Sequence, residues 1–523
     1  MLLLDARRLI RPLALGFLVL LLLTWTGGGA SDALMPVGLK GGGVPVAAAQ
    51  SADAQAWTIG GAGADEVRQI VVDGGGNEYV AGVFSGTVNV AAGPDVAQLA
   101  SGGDADIFLA KYAPDGRVLW AWNLGGPGRD DVGQLAVDGL GNVYIGGSIL
   151  GDVDFAPGEA TAAVQAGPSR RGFVAKYDPD GALVWVSPLD LTGDSAVLAL
   201  ALDGAGNIAA AGWTGITAAT GVTGWPAESG AEVQRGDAFV LRLDQSGRLL
   251  WSMVLPTRSE GVAPVGLAVS QSADLYVTTS YTGALRVTIG NGVVDHMSVG
   301  GTDALLMKLT PDGGLVWSRS VGGAEHDVPG NGGVAVDADG NVLLTGTFDD
   351  PLDVDGDGLT PLIGSGSGDV FVASFTGDGG HRWSTSLGGP GRDGGHRVAV
   401  DAARYVYVTG WFAGEPLVDP AADGSLLRGQ GQDGATDVLL AKYSPAGALA
   451  WVRGFGGAVS GPGQSSSGTA LAIDARGDLL LGGRFFGTDV DIDPGPGVAI
   501  LNSGGQADGF VARLGPDGAL LRR

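Results

Sequence analysis

The residues best suited to chemistry in this chain are aspartates at alternate positions in two loop-like segments. One segment reads Asp353-Val-Asp355-Gly-Asp357-Gly, and the other reads Asp489-Val-Asp491-Ile-Asp493-Pro-Gly. Oxygen ligands at positions one, three and five can wrap a hard cation, and the glycine permits a sharp turn. The pattern predicts Ca²⁺ binding by Asp353, Asp355, Asp357, Asp489, Asp491 and Asp493. A solvated Asp-Gly loop is the alternative, because position twelve of the first segment is Gly364 and not a bidentate glutamate.

Two tryptophans are candidates for binding a ligand through an exposed ring. Trp225 lies in TGVTGWPAESG, and Trp411 lies in TGWFAG. An aromatic ring in a loop lacks core neighbours and can stack on a sugar or a partner side chain. Both residues fall outside a column of tryptophans that recurs at intervals of 65 to 68 residues, namely Trp120, Trp185, Trp251, Trp317, Trp383 and Trp451. We predict exposure and ligand binding for Trp225 and Trp411, and packing between repeats for the column.

The column belongs to a repeat that extends through most of the chain. Each unit contains a phrase such as LAVDGLGNVYIGG and, further on, a phrase such as FVAKYDPDGALVW. Both phrases are pairs of short apolar runs joined by Asp, Pro and Gly, which is typical of hairpins. Each unit is therefore predicted to form four antiparallel strands, and the phrases occur seven times.

Seven sheets that are apolar on both faces can cover those faces by stacking radially around an axis. The predicted fold is an all-β, seven-bladed β-propeller of four-stranded antiparallel blades that spans residues 54–523. The segment AWTIGG at 56–61 matches AWNLGG at 121–126, with Trp57 aligned on Trp122. We expect this segment to complete the seventh blade, so that the N- and C-terminal segments close the ring.

The net charge and the N-terminal sequence indicate which partners and which cellular location to expect. The net charge of −26 disfavours nucleic acid as a partner, because a phosphate backbone would be repelled. Residues 1–30 combine arginines, an apolar run and small residues, as a signal peptide does, and residues 31–53 are predicted to form a flexible linker. A secreted, periplasmic or cell-surface protein is expected, with membrane contact only through an uncleaved signal anchor.

Catalytic motifs are scarce in the sequence. No cysteine is available as a nucleophile, and the four histidines form no metal-binding pair at helical spacing. If the protein is a hydrolase or lyase acting at the mouth of the propeller channel, its best residues are His326, Asp327, Arg392, Asp393 and His396. The sequence favours a non-catalytic protein over this alternative.

The phrases FVAKYDPDGALVW, LGGPGRDD and LAVDGLGNVYIGG resemble those of bacterial proteins built from the seven-bladed β-propeller (SBBP-type) repeat. The resemblance covers residues 54 to 523 and implies an exported or surface-located propeller. Loops on a rigid frame are common places for recognition. We therefore expect a monomeric scaffold that binds a protein or polysaccharide through variable loops, notably 215–236 and 414–434.

Overall fold

The repeats form seven antiparallel blades of four strands in a computed structural model, and the sheet of the seventh blade continues into two short strands at residues 87–89 and 98–100. The structure describes residues 55–92, 96–156, 162–189, 193–215, 237–255, 263–289, 292–349, 351–356, 360–414, 417–419, 425–427, 434–457, 464–495 and 497–521. These residues contain strands and turns and no helix, and so no helical segment that could cross a membrane. The predicted signal peptide and linker lie outside the described residues.

Each blade consists of four strands, and the first strand lies next to the central channel. Blade 1 contains β2 (Asp65–Val72), β3 (Glu78–Phe84), β6 (Asp106–Tyr112) and β7 (Val118–Leu124). Blade 2 contains β8 (Asp131–Val137), β9 (Val143–Ile149), β12 (Arg171–Tyr177) and β13 (Leu183–Pro188). Blade 3 contains β14 (Asp194–Leu202), β15 (Ile208–Gly215), β16 (Asp237–Leu243) and β17 (Leu249–Leu255). Blade 4 contains β18 (Ala263–Val269), β19 (Leu275–Ile289), β20 (Gly292–Leu309) and β21 (Leu315–Val321). Blade 5 contains β22 (Asp327–Val336), β23 (Val342–Phe348), β24 (Asp369–Phe375) and β25 (His381–Leu387). Blade 6 contains β26 (Gly394–Val400), β27 (Val406–Ala413), β30 (Thr436–Tyr443) and β31 (Leu449–Phe455). Blade 7 contains β32 (Ser467–Ile473), β33 (Leu479–Phe485), β36 (Asp508–Leu514) and β1 (Ala56–Gly61).

The first strands form a closed circle. Each of them contacts the first strand of the next blade, from β2 through β8, β14, β18, β22 and β26 to β32, and β32 contacts β2 again. Apolar residues from neighbouring blades form shared clusters, for example Tyr79 and Trp120 of blade 1 with Leu135 and Phe173 of blade 2. The sequence prediction of a seven-bladed β-propeller is confirmed.

The ring closes in blade 7, where the two ends of the described chain meet. Strand β1 pairs antiparallel with β36, with Trp57 opposite Val511, which matches Trp122 opposite Leu109 in blade 1. The backbone N–H of Arg513 donates to the carbonyl of Gln55 at 2.7 Å, and the N–H of Leu521 donates to the carbonyl of Arg513 at 2.9 Å. The predicted alignment of Trp57 with Trp122 and the predicted closure are therefore correct.

The recurring tryptophans connect each blade to the next. Trp120 of blade 1 donates its indole N–H to the carbonyl of Pro179 in blade 2 at 3.1 Å, and Lys111 donates to the same carbonyl at 2.8 Å. The indole lies under Gly181, where a Cβ atom would approach the ring to 2.9 Å, so the turn requires glycine there. Equivalent indole hydrogen bonds are made by Trp185, Trp251, Trp317 and Trp383. The packing role predicted for the column is confirmed.

The aspartates that follow the first strands cap turns, as their repetition predicts. Asp73 accepts hydrogen bonds from the backbone N–H groups of Gly75 and Asn77, both at 2.9 Å, and from the Asn77 side chain at 2.8 Å. The same capping of the first turn is made by Asp138, Asp203, Asp337, Asp401 and Asp474. The backbone N–H groups of a turn need such a partner, so the aspartate in six of the seven blades is explained without catalysis, and Ser270 accepts the equivalent hydrogen bond in blade 4.

Additional segments leave the blades between their second and third strands. Short hairpins occur there in blades 1, 2, 6 and 7, and they consist of β4 (Thr87–Asn89) with β5 (Gln98–Ala100), β10 (Asp152–Asp154) with β11 (Ala163–Gln165), β28 (Leu417–Asp419) with β29 (Ser425–Leu427), and β34 (Val490–Asp491) with β35 (Ile500–Leu501). In blade 4 the strands β19 and β20 themselves extend into a long hairpin. Because strands alternate in direction, all second-to-third connections lie at the same end of the ring. We call this end the insertion face.

Candidate functional site

Buried aspartates lie in pairs where one blade meets the next. Each pair joins the start of a third strand to the start of the following blade's first strand, and the pairs are Asp508 with Asp65, Asp106 with Asp130, Asp303 with Asp327, and Asp369 with Asp393. Their carboxylates accept backbone hydrogen bonds, such as 2.8 Å from Gly126 to Asp130 and 2.7 Å from Gly389 to Asp393. A Cβ atom at Gly60, Gly125, Gly322 or Gly388 would overlap one of these carboxylates, which explains the first glycine of the recurring Gly-Gly.

The paired aspartates have raised pKa values because burial disfavours the charged form. Desolvation, with repulsion from Asp508 as the second cause, raises the pKa of Asp65 to about 7. Desolvation likewise raises the pKa of Asp327 to about 7 and the pKa values of Asp130 and Asp393 to about 6. These carboxyl groups bind protons more tightly in the folded chain than in the unfolded chain.

We expect the free energy of unfolding to decrease from about pH 5 to about pH 8. A carboxyl group whose folded-state pKa is raised adds stability below its unfolded pKa and loses it as the pH rises through the folded value, here 6 to 7. Burial lowers the pKa values of the half-buried histidines His296 and His396, and these two groups act in the opposite direction. The variant Asp65→Asn therefore shows how much of the pH dependence comes from this carboxyl group. Its side-chain amide retains an oxygen that can accept the Ser85 N–H. Its urea midpoint should depend less on pH than that of the wild type. An identical slope in both proteins would contradict the assignment.

The predicted calcium ligands lie in the insertions of blades 5 and 7. The Asp353 carboxylate accepts the Gly356 N–H at 2.7 Å, and the Asp355 carboxylate lies 3.9 Å from the His381 ring, whereas Asp357 lies outside the described residues. In blade 7, Asp491 Oδ1 accepts the N–H groups of Asp493 and Ala499 at 3.1 and 2.8 Å. Asp489 has a positive φ of 57°, and the Asp493 carboxylate accepts the Gly495 N–H at 2.8 Å.

The hydrogen bonds of Asp491 recur in two other blades. Asp154 in blade 2 and Asn89 in blade 1 accept backbone N–H groups two and eight residues further along the chain, as Asp491 does. An uncharged asparagine is thus sufficient for closing this loop. Among the described residues no group of three or more carboxylates or histidines is placed to hold a metal ion. Calcium binding stays a prediction that requires a direct test.

The predicted exposure of Trp411 is wrong. Its ring is 5% exposed, lies opposite Gly394 in the neighbouring strand, and is covered by the Arg392 guanidinium at 5.8 Å from the ring centroid. Gly394 has no side chain, so the indole fills that space. Trp225, and the predicted binding loops apart from a few of their residues, lie outside the described residues.

The five residues considered for catalysis make separate hydrogen bonds, although His326 and Arg392 both lie within electrostatic reach of Asp349. Asp327 and Asp393 are buried loop caps, and Arg392 covers Trp411. His326 is exposed and contacts Thr302 at 3.3 Å, whereas His396 is half-buried and donates from Nδ1 to the carbonyl of Gly468 at 3.1 Å. The two histidines therefore have different hydrogen-bond partners. Of the five residues, His396 is the extra residue where the register of a first strand shifts.

An irregularity near the start of every first strand brings different residues to the channel. The register of each first strand shifts at one place, and the extra residues are Arg68, Gly133, Leu198, Val265, Gly330–Gly333, His396 and Thr469. A bulge turns a side chain away from its regular direction and is common beside functional sites. The residue type changes from blade to blade, in contrast to the core positions around it.

Charged residues beside these bulges form a cluster at the mouth of the channel. Arg68 contacts two carboxylates, those of Glu66 at 3.0 Å and of Asp131 in blade 2. Glu66 in blade 1 also interacts electrostatically with His396 in blade 6, although blade 7 lies between these two blades in the ring. Despite burial, Arg68, Arg484 and His396 lower the pKa of Glu66, and burial lowers the pKa of His396. We define the channel-mouth cluster as Glu66, Arg68, Asp131, His396 and Arg397.

Of this cluster, sequence reasoning identified His396. Glu66, Arg68, Asp131 and Arg397 were missed because each occurs once and belongs to no motif. An alignment of the seven units contains a clue to these residues. The LAVD-type phrases are similar in all units, whereas the residues just before them differ in charge from unit to unit. The bulges that place these residues together could not be inferred from that alignment.

Comparison with known proteins finds similarity to a WD repeat-containing protein and to solved β-propellers. No family model matches the sequence, so the resemblance to SBBP-type proteins is not confirmed. An uncharacterized WD repeat-containing protein of Acanthamoeba polyphaga mimivirus is 21% identical over 534 residues, which cover 87% of this chain and 38% of the viral protein. The chain thus spans less than half the length of this relative.

Solved propellers resemble the chain at low identity. The WD40 domain of Neurospora crassa Pan2 has 10% identity and a TM-score of 0.38, and the match covers 86% of this chain and 90% of that domain. A polysaccharide lyase described as an ulvan lyase has 10% identity and a TM-score of 0.43, with coverage of 91% and 98%. A gluconolactonase from Xanthomonas campestris has 15% identity and a TM-score of 0.29, with coverage of 68% and 94%. At these scores the matches carry no argument about function.

Proposed function

We propose that this protein is an exported, non-catalytic propeller that binds a protein or polysaccharide through its insertion face. The observation that carries the proposal is the position of the non-repeating segments. The described hairpins β4–β5, β10–β11, β28–β29 and β34–β35, and the extension of β19–β20, all leave the blades at that one end. Variable segments on a rigid frame are a common basis for recognition.

The hairpin of blade 4 presents an apolar stripe that suits a partner. Val293, Met297 and Val299 are 56%, 67% and 70% exposed, and they alternate along β20 on one side of the hairpin. Asp295 lies between them and pairs with Arg286 at 2.6 Å. Leu285 and Val287 on the neighbouring strand are buried, so the hairpin is anchored while its outer side stays accessible. Exposed apolar groups rimmed by charge are typical of interaction surfaces.

Binding is tested by a screen followed by matched variants. The full chain is applied to an array of polysaccharides and to purified envelope proteins, and the strongest binder is titrated against Met297→Asp with Val299→Asp. The control is Leu140→Asp, because Leu140 is 82% exposed in a turn at the opposite end of the ring. We expect the double variant to weaken binding at least about tenfold, or 1.4 kcal/mol, and the control to bind like the wild type. Equal loss in both variants, or in neither, would refute the insertion face as the binding surface.

Calcium is expected to stiffen the insertion of blade 7, and Asp491→Asn provides a sharp test. Asn89 already makes the equivalent two hydrogen bonds in blade 1, so this variant should keep the loop and lose only the charge. A cation bound to the folded state at one hundred times its dissociation constant stabilises it by about 2.7 kcal/mol. We expect Ca²⁺ to raise the melting temperature of the wild type and to raise that of Asp491→Asn less. If the wild type has the same melting temperature in Ca²⁺ and in chelator, the proposal that it binds calcium is wrong.

A further inference from the structure

Arg397 is a buried arginine in the channel that lacks an acidic partner. It is 8% exposed, and its Nε donates to the carbonyl of Thr469 in blade 7 at 3.2 Å. No carboxylate among the described residues forms an ion pair with it, whereas Arg68 in the same cluster contacts both Glu66 and Asp131. Burial without a compensating charge lowers the pKa of Arg397 to about 10. A buried charge without a partner is costly, so it calls for an explanation.

The hydrogen bond from Arg397 to the neighbouring blade does not explain why this residue is positively charged. Gln69 occupies the equivalent position in blade 1, directly after the bulge, and its Nε2 donates to the carbonyl of Gly133 in blade 2 at 2.6 Å. A neutral amide therefore makes the same connection to the bulge of the next blade. The terminal nitrogens and the positive charge of Arg397 are additional to that connection.

The guanidinium packs closely against a glycine of the neighbouring blade. It lies against Gly332, which has a φ of +84° and belongs to the four-residue bulge Gly330–Gly333 of blade 5. A Cβ atom at Gly332 would approach Cζ to 2.8 Å and both terminal nitrogens to 3.0 Å. A side chain at this position would collide with the guanidinium, so glycine at position 332 allows Arg397 to lie there. His396 is adjacent and interacts with Glu66 of blade 1 and with Arg484, so one carboxylate and two arginines lie within electrostatic reach of its ring.

We propose that Arg397 binds the carboxylate of an acidic ligand that enters the mouth of the channel. With Nε occupied, the two terminal nitrogens can form paired hydrogen bonds to the two oxygens of a planar carboxylate. One surplus positive charge matches one negative charge, which suits a monocarboxylate better than a phosphate dianion. The carboxylate is that of a small organic acid or of a uronic acid unit in an acidic polysaccharide. This site is separate from the apolar stripe of blade 4 and does not depend on it.

The probes are acetate, glucuronate and an oligomer of glucuronate, each compared with sulfate and chloride at constant ionic strength. The full chain is titrated with each anion, and binding is followed by calorimetry and by the shift in melting temperature. A shift with glucuronate and its oligomer but not with acetate identifies a sugar acid, and a shift with acetate as well identifies the carboxylate alone as sufficient. Equal shifts with all five anions would overturn the proposal.

The variants separate binding from structure. Arg397→Gln reproduces the arrangement of Gln69, so it should fold, melt at or above the temperature of the ligand-free wild type, and bind glucuronate at least about tenfold more weakly. Arg248→Gln is the control, because Arg248 is exposed in the turn before the outer strand of blade 3, and it should bind as the wild type does. Arg397→Lys keeps the charge and loses the paired geometry, so binding should fall while folding persists. Undiminished binding in Arg397→Gln, or unfolding of both Arg397 variants, would show that Arg397 is structural and refute the site.

Discussion

Glu78→Ala is expected to destabilise the folded ring by about 3–5 kcal/mol, because it leaves a buried arginine without its counter-ion. Arg513 in blade 7 contacts Glu78 in blade 1 at 2.7 Å, and each side chain is 5% exposed. Arg513 also donates to the carbonyl of Pro114 at 3.0 Å. The pair therefore joins the last blade to the first, and the loss should appear in chemical denaturation as a lower midpoint.

A matched exposed pair serves as the control for this prediction. Arg286 and Asp295 in the hairpin of blade 4 are 67% and 60% exposed, so Asp295→Ala should change the free energy of unfolding by less than about 1 kcal/mol. Replacing both Glu78 and Arg513 by leucine and methionine should recover much of the loss, since no unpaired charge is then buried. Equal effects of Glu78→Ala and Asp295→Ala would contradict a role of the buried pair in closure.

Trp57→Ala is expected to cost about 3–5 kcal/mol, the usual range for truncating a large buried aromatic side chain. Trp57 is 3% exposed, packs against Tyr112 of blade 1 with ring centroids 5.4 Å apart, and lies under the Arg513 guanidinium. Its removal would leave a cavity between the two blades that close the ring. Thermal and urea unfolding report the loss.

The control for Trp57 is a tryptophan of an ordinary blade junction. Trp185 is only partly buried and makes one hydrogen bond to Gln245, so Trp185→Ala should cost less than Trp57→Ala. If Trp57→Ala costs less than about 1 kcal/mol, the N-terminal strand does not hold the ring together.

The sequence was sufficient for the architecture because the same physical problem is repeated in every unit. The tryptophans of the Trp120 column and the turn aspartates such as Asp73 each occur in six of the seven units, the Gly-Gly pairs occur in most of them, and each has one structural explanation. The closing strand was predictable because AWTIGG resembles the fourth strand of the other units but is not preceded by three strands of its own. The structural roles of residues that repeat can thus be predicted from the sequence alone.

The channel-mouth cluster was not predictable because it depends on departures from the repeat. Glu66 and His396 come within electrostatic reach of one another across the position of blade 7, which no local pattern encodes. The exposure of Trp411 was predicted wrongly for a related reason, since its burial depends on Gly394 in the neighbouring strand and on Arg392 above the ring. Single residues in bulges and strand ends take their environment from distant parts of the chain.

The ring closure on which this account depends is tested most directly by a disulfide between β1 and β36. Ala56 and Ala512 lie opposite one another in these strands, and the chain has no cysteine, so Ala56→Cys with Ala512→Cys introduces the only two thiols. We expect the two cysteines to oxidise within the monomer, and the oxidised protein to melt at a higher temperature than its reduced form. Two thiols that stay free under oxidising conditions, or that join separate molecules, would contradict closure of the ring by the N-terminal strand.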